Sequence, residues 1–257
     1  MGVMDFLSLF FVLIFLTKLP MYLLHSWLPK AHVDAPTFGS MILAGIMLKM
    51  GAYGLFRFFF FFFLKNFFLL VFISFFGFFF STIMSIRVLD LKTCIAFSSI
   101  YHMNFSLIGL LFYNFKGSFY IFIGHSFVSP VLFFFVGMIY LFSKSRNIIM
   151  LFSLVNYNKI MSFFFFFFLL LNLGFPPFLN FKGEIMVFIT IFNHLGYKLL
   201  IFFFGFLFGG IFTYRIMIMI YSKIGSKSIL ELMKNMFIII FFFFFFFFFF
   251  CYFSFFM

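Results

Sequence analysis

The sequence is poor in acidic residues and in cysteine, and it has no long polar segment. It contains 5 Asp and Glu against 17 Lys and Arg, which gives a formal net charge of +12 over 257 residues. A soluble domain is about half apolar and about a quarter charged, whereas this chain is 67% hydrophobic and 9% charged, with a mean hydropathy of +1.29. Because no polar stretch could surround a soluble core, the chain is expected to lie in a membrane.

Motifs typical of metal and nucleotide sites are also missing. Cys94 and Cys251 each lie inside an apolar segment, and the sequence has no C-x-x-C or H-E-x-x-H spacing. We therefore expect no disulfide, no metal ion and, without G-x-G-x-x-G or a P-loop, no nucleotide-binding site. The basic residues fall singly between apolar segments, which favours loop residues that meet anionic headgroups and argues against nucleic-acid binding.

The apolar segments have the length of membrane-spanning helices. A helix needs about 20 apolar residues to cross the hydrocarbon core, and barrel strands would alternate apolar and polar residues. The sequence therefore predicts an all-α, polytopic transmembrane helical bundle of about eight helices. The predicted spans are 3–28, 37–63, 67–86, 91–113, 118–142, 161–192, 197–222 and 236–257.

Two of these spans carry prolines near their middle. Pro20 closely follows Lys18 in the first span, and Pro176 and Pro177 interrupt the sixth. Proline removes a helical hydrogen bond and clashes with the preceding turn. Broken helices are tolerated at membrane depth where they line a cavity or are buried in protein, and their half-helix ends form ion sites. A mild kink is the alternative for a single proline, but a nearby charge in each span favours two discontinuous helices.

Ionisable residues inside the spans point to transport. A charge at the bilayer centre costs about 2.5–3.5 kcal/mol, and residues kept at that cost usually move ions or protons. Lys18, Lys49 and Glu184 are in this position, although snorkelling to the headgroups is an alternative for Lys49. Histidine as a residue type titrates near neutrality, which suits a proton relay, and His102 and His125 lie in the apolar spans; the alternative is that they are hydrogen-bonded structural residues.

Particular sequence blocks resemble one family. KLPMY at 18–22, HSWLPKAHVDAP at 25–36 and LKMG at 48–51 are similar to subunit 4 of respiratory complex I, the proton-pumping NADH:ubiquinone oxidoreductase. The similarity continues in DLK at 90–92, AFSS at 96–99, HMN at 102–104, at His125, and from Asn172 to Glu184. Subunit 5 and the cation/proton antiporters share the Trp-Leu-Pro core but usually differ around residues 48–51. The resemblance covers most of residues 15–215.

The resemblance implies a fold and a relay. It implies the C-terminal part of an inverted-repeat antiporter-like fold, with the end of the first repeat in residues 1–63, the second repeat in 64–222 and a C-terminal transmembrane helix in 223–257. The implied proton relay consists of Lys18, Lys49, His102, His125 and Glu184. Possible supporting residues are His25, His32, Asp34, Lys92 and Lys182, although His25 and His32, which flank Trp27, are interpreted first as interfacial structural residues.

The resemblance also implies a location and partners. We expect the mitochondrial inner membrane, other membrane-arm subunits of complex I, and lipids such as cardiolipin. FMN, iron–sulfur clusters and ubiquinone are expected in other subunits, with no cofactor in this chain. Because family members extend much further at the N-terminus, a separate chain is expected to supply the missing helices and an acidic partner for Lys18.

Three residues depart from the family pattern. Asp34 replaces a glutamate, Lys182 replaces an apolar residue, and Pro130 is expected to kink the fifth span.

Two alternative functions remain open. One alternative is a structural remnant that holds the membrane arm together without pumping. The other is a free-standing cation/proton antiporter subunit.

Overall fold

The computed structural model describes residues 12–59, 67–143, 145–148, 159–176, 178–196 and 200–221. Within these ranges the regular structure is helical, apart from an isolated bridge between Asp90 and Asn147. Residues 12–18 are helical. The later helices are α1 (Trp27–Asp34), α2 (Thr37–Ile42, π-helical Leu43–Met47 and Leu48–Phe59), α3 (Phe67–Arg87), α4 (Leu91–Leu111), α5 (Phe115–Ser143), α6 (Lys159–Asn172), α7 (Leu179–Leu195) and α8 (Leu200–Tyr221).

The helices agree with the predicted membrane bundle. Among the described residues, four helices are long and apolar enough to cross a membrane: Thr37–Arg57, Leu69–Arg87, Leu91–Leu111 and Phe115–Leu141. The shorter apolar helices are Ile160–Asn172 and Gly205–Met219. The predicted span at 236–257 lies outside the described residues. Helix α4 is buried along almost its whole length and packs against α3, α5 and α7, so the centre of the bundle is built around it.

Both predicted helix breaks are present. The first helix ends at residue 18, and irregular turns through Pro20 precede α1. The second break separates α6 from α7 and contains Gly174 and Pro176, while Pro177 lies outside the described residues. Pro130 lies within α5, which continues as a helix on both sides of it.

Asparagine side chains satisfy backbone groups at the two breaks. Asn104 in α4 donates from Nδ2 to the carbonyl of Pro20 at 3.1 Å. Asn180 in α7 donates to the carbonyl of Leu171 at 3.2 Å. A broken helix frees carbonyls that lipid cannot hydrogen-bond, so these buried amides stabilise the non-helical backbone.

Cationic side chains cap helix ends on one side of the bundle. Lys92 donates to the carbonyl of Ala35 at 2.9 Å, just beyond α1, and Arg146 donates to the carbonyl of Val33. Arg215 in α8 donates to the carbonyls that end α3. The C-terminal carbonyls of a helix have no intrahelical donor and carry partial negative charge. These cations therefore supply hydrogen bonds to the free carbonyl oxygens and stabilise the helix ends.

A glycine allows α7 to approach α5 closely, and this yields a test of the packing. A Cβ at Gly183 would lie 2.8 Å from the carbonyl oxygen of Gly117 and 2.9 Å from the backbone nitrogen of Ile121. Because these neighbours are backbone atoms, Gly183→Ala should force the helices apart and destabilise the bundle by about 1–3 kcal/mol. Gly210→Ala in α8 is the matched control, because nothing lies within 4 Å of a Cβ at that position.

Thermal unfolding in detergent checks this prediction. Gly183→Ala should unfold at a lower temperature than the unsubstituted protein, and Gly210→Ala should not. Equal unfolding temperatures for the two variants would mean that the α5–α7 contact is looser than the structure shows.

Candidate functional site

Four ionisable side chains lie in a row through the interior of the bundle. Nζ of Lys49 (α2) lies 2.8 Å from Nδ1 of His125 (α5). The rings of His125 and His102 (α4) have centroids 5.6 Å apart, and Nδ1 of His102 lies 3.3 Å from Oε1 of Glu184 (α7). We call Lys49, His125, His102 and Glu184 the polar row. It joins four different helices, and four of the five predicted relay residues lie in it.

Lys49 is positioned by the π-helical turn in α2. Its ammonium donates to the carbonyl of Ala44, five residues earlier, as well as approaching His125. A π-turn adds a residue to the helix and is frequently found at functional sites. The turn packs closely against α5, because a Cβ at Gly45 would lie 3.0 Å from Cγ of Pro130. The small residues that precede Lys49 thus bring its helix up to His125.

The two histidines form the buried centre of the row. His125 is 0% exposed and His102 is 2% exposed. With the Lys49 ammonium donating to Nδ1 of His125, the proton of a neutral His125 ring lies on Nε2, which has no hydrogen-bond partner among the described residues. Since the ring centroids are 5.6 Å apart, proton transfer from one ring to the other needs a ring rotation or a bridging water.

Glu184 occupies the end of the row, close to the second helix break. It is 3% exposed and lies in the second turn of α7, five residues after that helix begins at Leu179. Gly174 in the break has a left-handed φ of +73°, and a Cβ there would lie 2.6 Å from Oε2 of Glu184. Glycine at position 174 therefore permits the left-handed backbone of the turn and leaves room for the Glu184 carboxylate.

Lys18 is the predicted relay residue that the described structure leaves outside the row. Its side chain is exposed, and it has no hydrogen-bond or ion-pair partner among the described residues. Its backbone packs against α2, since a Cβ at Gly51 would lie 2.8 Å from Cβ of Lys18. Lys18 is thus placed on the same side of the bundle as α2 but faces outward.

Comparison with known proteins gives the family. Residues 2–213 match the transmembrane family described as NADH:quinone oxidoreductase/Mrp antiporter. The chain belongs to this family. It is 40% identical to NADH-ubiquinone oxidoreductase chain 4 of Ceratitis capitata over 187 residues, which are 70% of this chain and 42% of the relative. The corresponding protein of Locusta migratoria is 36% identical over 210 residues, 79% of this chain and 47% of the relative.

A solved structure supports the antiporter-like fold. A chain of respiratory complex I from Thermus thermophilus with bound NADH superposes with a TM-score of 0.76 at 20% identity. The match covers 88% of this chain and 50% of that chain. The chain therefore spans about half the length of the proteins it matches.

Two of the predicted supporting residues are buried around α1. His32 is 0% exposed and stacks on Phe133 with ring centroids 4.4 Å apart. Burial, together with the nearby cations of Lys92 and Lys49, lowers the pKa of His32 to about 4, so the ring is neutral at pH 7. The amine of Lys92 is held by the carbonyl of Ala35. His32 is thus more deeply buried than the interfacial position that its place beside Trp27 suggested.

The other predicted supporting residues lie nearer the outside of this antiporter-like bundle. His25 is partly buried and stacks on Tyr22 with ring centroids 4.9 Å apart, and Asp34 is exposed. Lys182 is also exposed, and its Nζ lies 5.1 Å from the centroid of the Tyr120 ring. Lys182 and Glu184 are two positions apart on α7, and this spacing places them on different helix faces.

Two features of the site had no clear signal in the sequence. Asn104 and Asn180 stand out as amides within apolar segments, yet their acceptors at the breaks depend on the packing of distant elements. Gly174 precedes a double proline, which predicts a turn, but its close approach to the Glu184 carboxylate is visible only in three dimensions.

Proposed function

We propose that the chain is part of a proton-translocating membrane-arm subunit of respiratory complex I, in the mitochondrial inner membrane. The names of the relatives and the antiporter-like fold support the assignment to complex I. The polar row is the observation that carries the proton-translocating role, since a chain of titratable groups across several helices is the arrangement that a proton relay needs. Quinone reduction elsewhere in the complex supplies the energy.

The geometry suggests how protons pass along the row. At 2.8 Å from Nζ of Lys49 to Nδ1 of His125, a proton can move between the two groups with little heavy-atom movement. His102 then receives it across the gap between the rings and delivers it toward Glu184. A charge at one end alters the proton affinity of its neighbour through a low-dielectric interior, so a charge change outside the row can drive transfer within it.

The remaining chemistry of the complex is assigned to other chains. Moving one charge against 100 mV costs about 2.3 kcal/mol, and in this proposal the redox chemistry of other subunits supplies that energy. We place FMN, the iron–sulfur clusters and ubiquinone in those subunits because this sequence lacks the motifs that would bind such groups. In the same proposal, residues 1–63 end the first antiporter-like repeat and residues 64–222 form the second. Residues 223–257 add the C-terminal transmembrane helix.

The exposed Lys18 supports a partner on the α2 side of the bundle. A lysine on a lipid-facing surface near the centre of a span costs about 2.5–3.5 kcal/mol. We propose that a separate chain packs against this side of the bundle and places a carboxylate beside the exposed Lys18. A structural remnant without pumping is the second candidate function, and the exposure of Lys18 is the observation that favours it.

Peptide mass spectrometry of the native membrane complex distinguishes these two functions. We expect this chain to co-purify with NADH-oxidising subunits and with a second hydrophobic chain that carries an intramembrane glutamate. A carbodiimide cross-link between that glutamate and Lys18 would place the two groups together. Recovery of the redox subunits without such a chain would leave Lys18 without an acidic partner and favour the structural remnant.

A further inference from the structure

A buried tyrosine lies beside the end of the polar row and is not one of its four members. Tyr101 precedes His102 on α4, and the two rings meet edge to face with centroids 4.7 Å apart. Tyr101 is 7% exposed, and the Glu184 carboxylate is close enough to act electrostatically on its phenol. An ionisable hydroxyl thus borders the His102–Glu184 pair.

The phenol reaches from α4 to the backbone of α8. Its ring stacks on Phe78 of α3 with centroids 4.8 Å apart and lies edge-on to Phe206 of α8 at 6.3 Å. A Cβ at Gly209 in α8 would lie 3.4 Å from Cζ and 3.5 Å from the hydroxyl oxygen of Tyr101. At the next residue, Gly210, no described atom lies within 4 Å of a Cβ. The hydroxyl therefore ends against α8, next to open space.

Packing does not explain the hydroxyl of Tyr101. It has no hydrogen-bond partner among the described residues, and a buried hydroxyl without a partner destabilises a protein. The sequence contains 63 Phe against 11 Tyr, and the ring neighbours Phe78 and Phe206 are both phenylalanine. Phenylalanine would fill the same space at position 101 without that cost. The hydroxyl is therefore expected to have a chemical role.

We propose that the Tyr101 hydroxyl receives protons from Glu184 and releases them on the α8 side of the bundle, an inference that rests on the proposed proton-translocating function. A neutral phenol is both a donor and an acceptor. The Glu184 carboxyl gives its proton to the phenol oxygen and becomes a carboxylate, while the proton that the hydroxyl held passes to a water beside Gly209. The phenol is neutral before and after the step, and rotation of its O–H bond restores the starting state.

The geometry sets one condition on this step and leaves one competing role. No hydrogen bond joins Tyr101 to Glu184 among the described residues, so the transfer needs a side-chain rotation or one bridging water. The competing role is steric, with the phenol ring holding His102 toward Glu184 through their edge-to-face contact. Tyr101→Phe separates the two roles, because it keeps the ring and removes only the hydroxyl.

Proton transport by the intact complex in sealed vesicles is the first measurement. Tyr101→Phe should lower NADH-driven transport at least roughly tenfold, as expected when a proton-transfer group is lost. It should unfold in detergent at the same temperature as the unsubstituted protein or higher, since it removes an unpartnered hydroxyl. Tyr140→Phe is the matched control: Tyr140 is exposed, and phenylalanine retains its ring contact with the guanidinium of Arg146. Tyr140→Phe should transport normally.

Infrared difference spectroscopy during turnover adds a readout that a steric role would not produce. In Tyr101→Phe, the carboxyl band that Glu184→Gln abolishes should still appear, but it should decay at least roughly tenfold more slowly. Normal transport and normal band decay in Tyr101→Phe, with Glu184→Gln impaired, would overturn this inference alone. Normal transport in both variants would overturn the proposed function as well. Loss of the band in Tyr101→Phe together with a lower unfolding temperature would overturn the inference in favour of the steric role.

Discussion

Replacing Lys49 by methionine should reduce NADH-driven proton transport by at least roughly tenfold, since losing a positioned proton-transfer group costs on the order of 10²–10⁴ in rate. Methionine keeps the length and apolar stem of the side chain but removes the ammonium that contacts His125 and Ala44. The chain should still insert and assemble, because the rest of α2 is unaltered. Proton uptake by sealed vesicles, measured during NADH oxidation, gives the result.

Two further variants separate proton exchange from fixed charge. Lys49→Arg retains a positive charge but cannot release a proton at physiological pH, so it should be nearly as impaired as Lys49→Met. Lys30→Met removes an exposed lysine and should transport normally. Normal transport by Lys49→Arg would show that position 49 needs only a charge, and would remove it from the relay.

The second large effect is expected at the other end of the row. Glu184→Gln keeps the shape of the side chain and its proximity to His102, but the amide cannot carry a proton through a cycle. NADH-driven proton transport should fall at least roughly tenfold for the same reason as at Lys49. Glu184→Asp, which keeps the carboxylate but draws it back from His102, should fall between Glu184→Gln and the unsubstituted protein.

A matched control and a double variant sharpen this prediction. Asp90→Asn removes an exposed carboxylate whose side chain makes no cap hydrogen bond, and it should leave transport unchanged. If His102 and Glu184 act as a unit, the double variant His102→Gln/Glu184→Gln should be little worse than either single variant. Additive losses would mean that the two residues act independently, despite the 3.3 Å that separates their polar atoms.

The sequence predicted the helix breaks because proline has a direct local effect on the backbone. Pro20 and Pro176 both lie in non-helical turns. The π-helical turn before Lys49 was not predicted, since Ala44 and Gly45 are compatible with either an α-turn or a π-turn. In the structure that turn lies against Pro130, and Lys49, just after it, contacts His125 across the bundle.

The candidate site was only partly accessible from the sequence for a similar reason. The resemblance to a known family proposed the relay residues, but the distances that join Lys49 to His125 and His102 to Glu184 depend on the packing of four helices. Helical spacing did place Lys182 on a different face from Glu184, because two residues correspond to about 200° around a helix of 3.6 residues per turn. Its contact with Tyr120 on α5 required the structure.

Infrared difference spectroscopy during NADH-driven turnover tests the central claim most directly, because it detects protonation changes of individual carboxyl and imidazole groups. The account predicts a carboxyl band that appears and decays with turnover, disappears in Glu184→Gln, and persists in Asp90→Asn. Lys49→Met should suppress the same band without removing the carboxylate, because the row is then interrupted at its opposite end. A spectrum for Glu184→Gln that is identical to that of the unsubstituted protein would contradict the claim that the polar row carries protons.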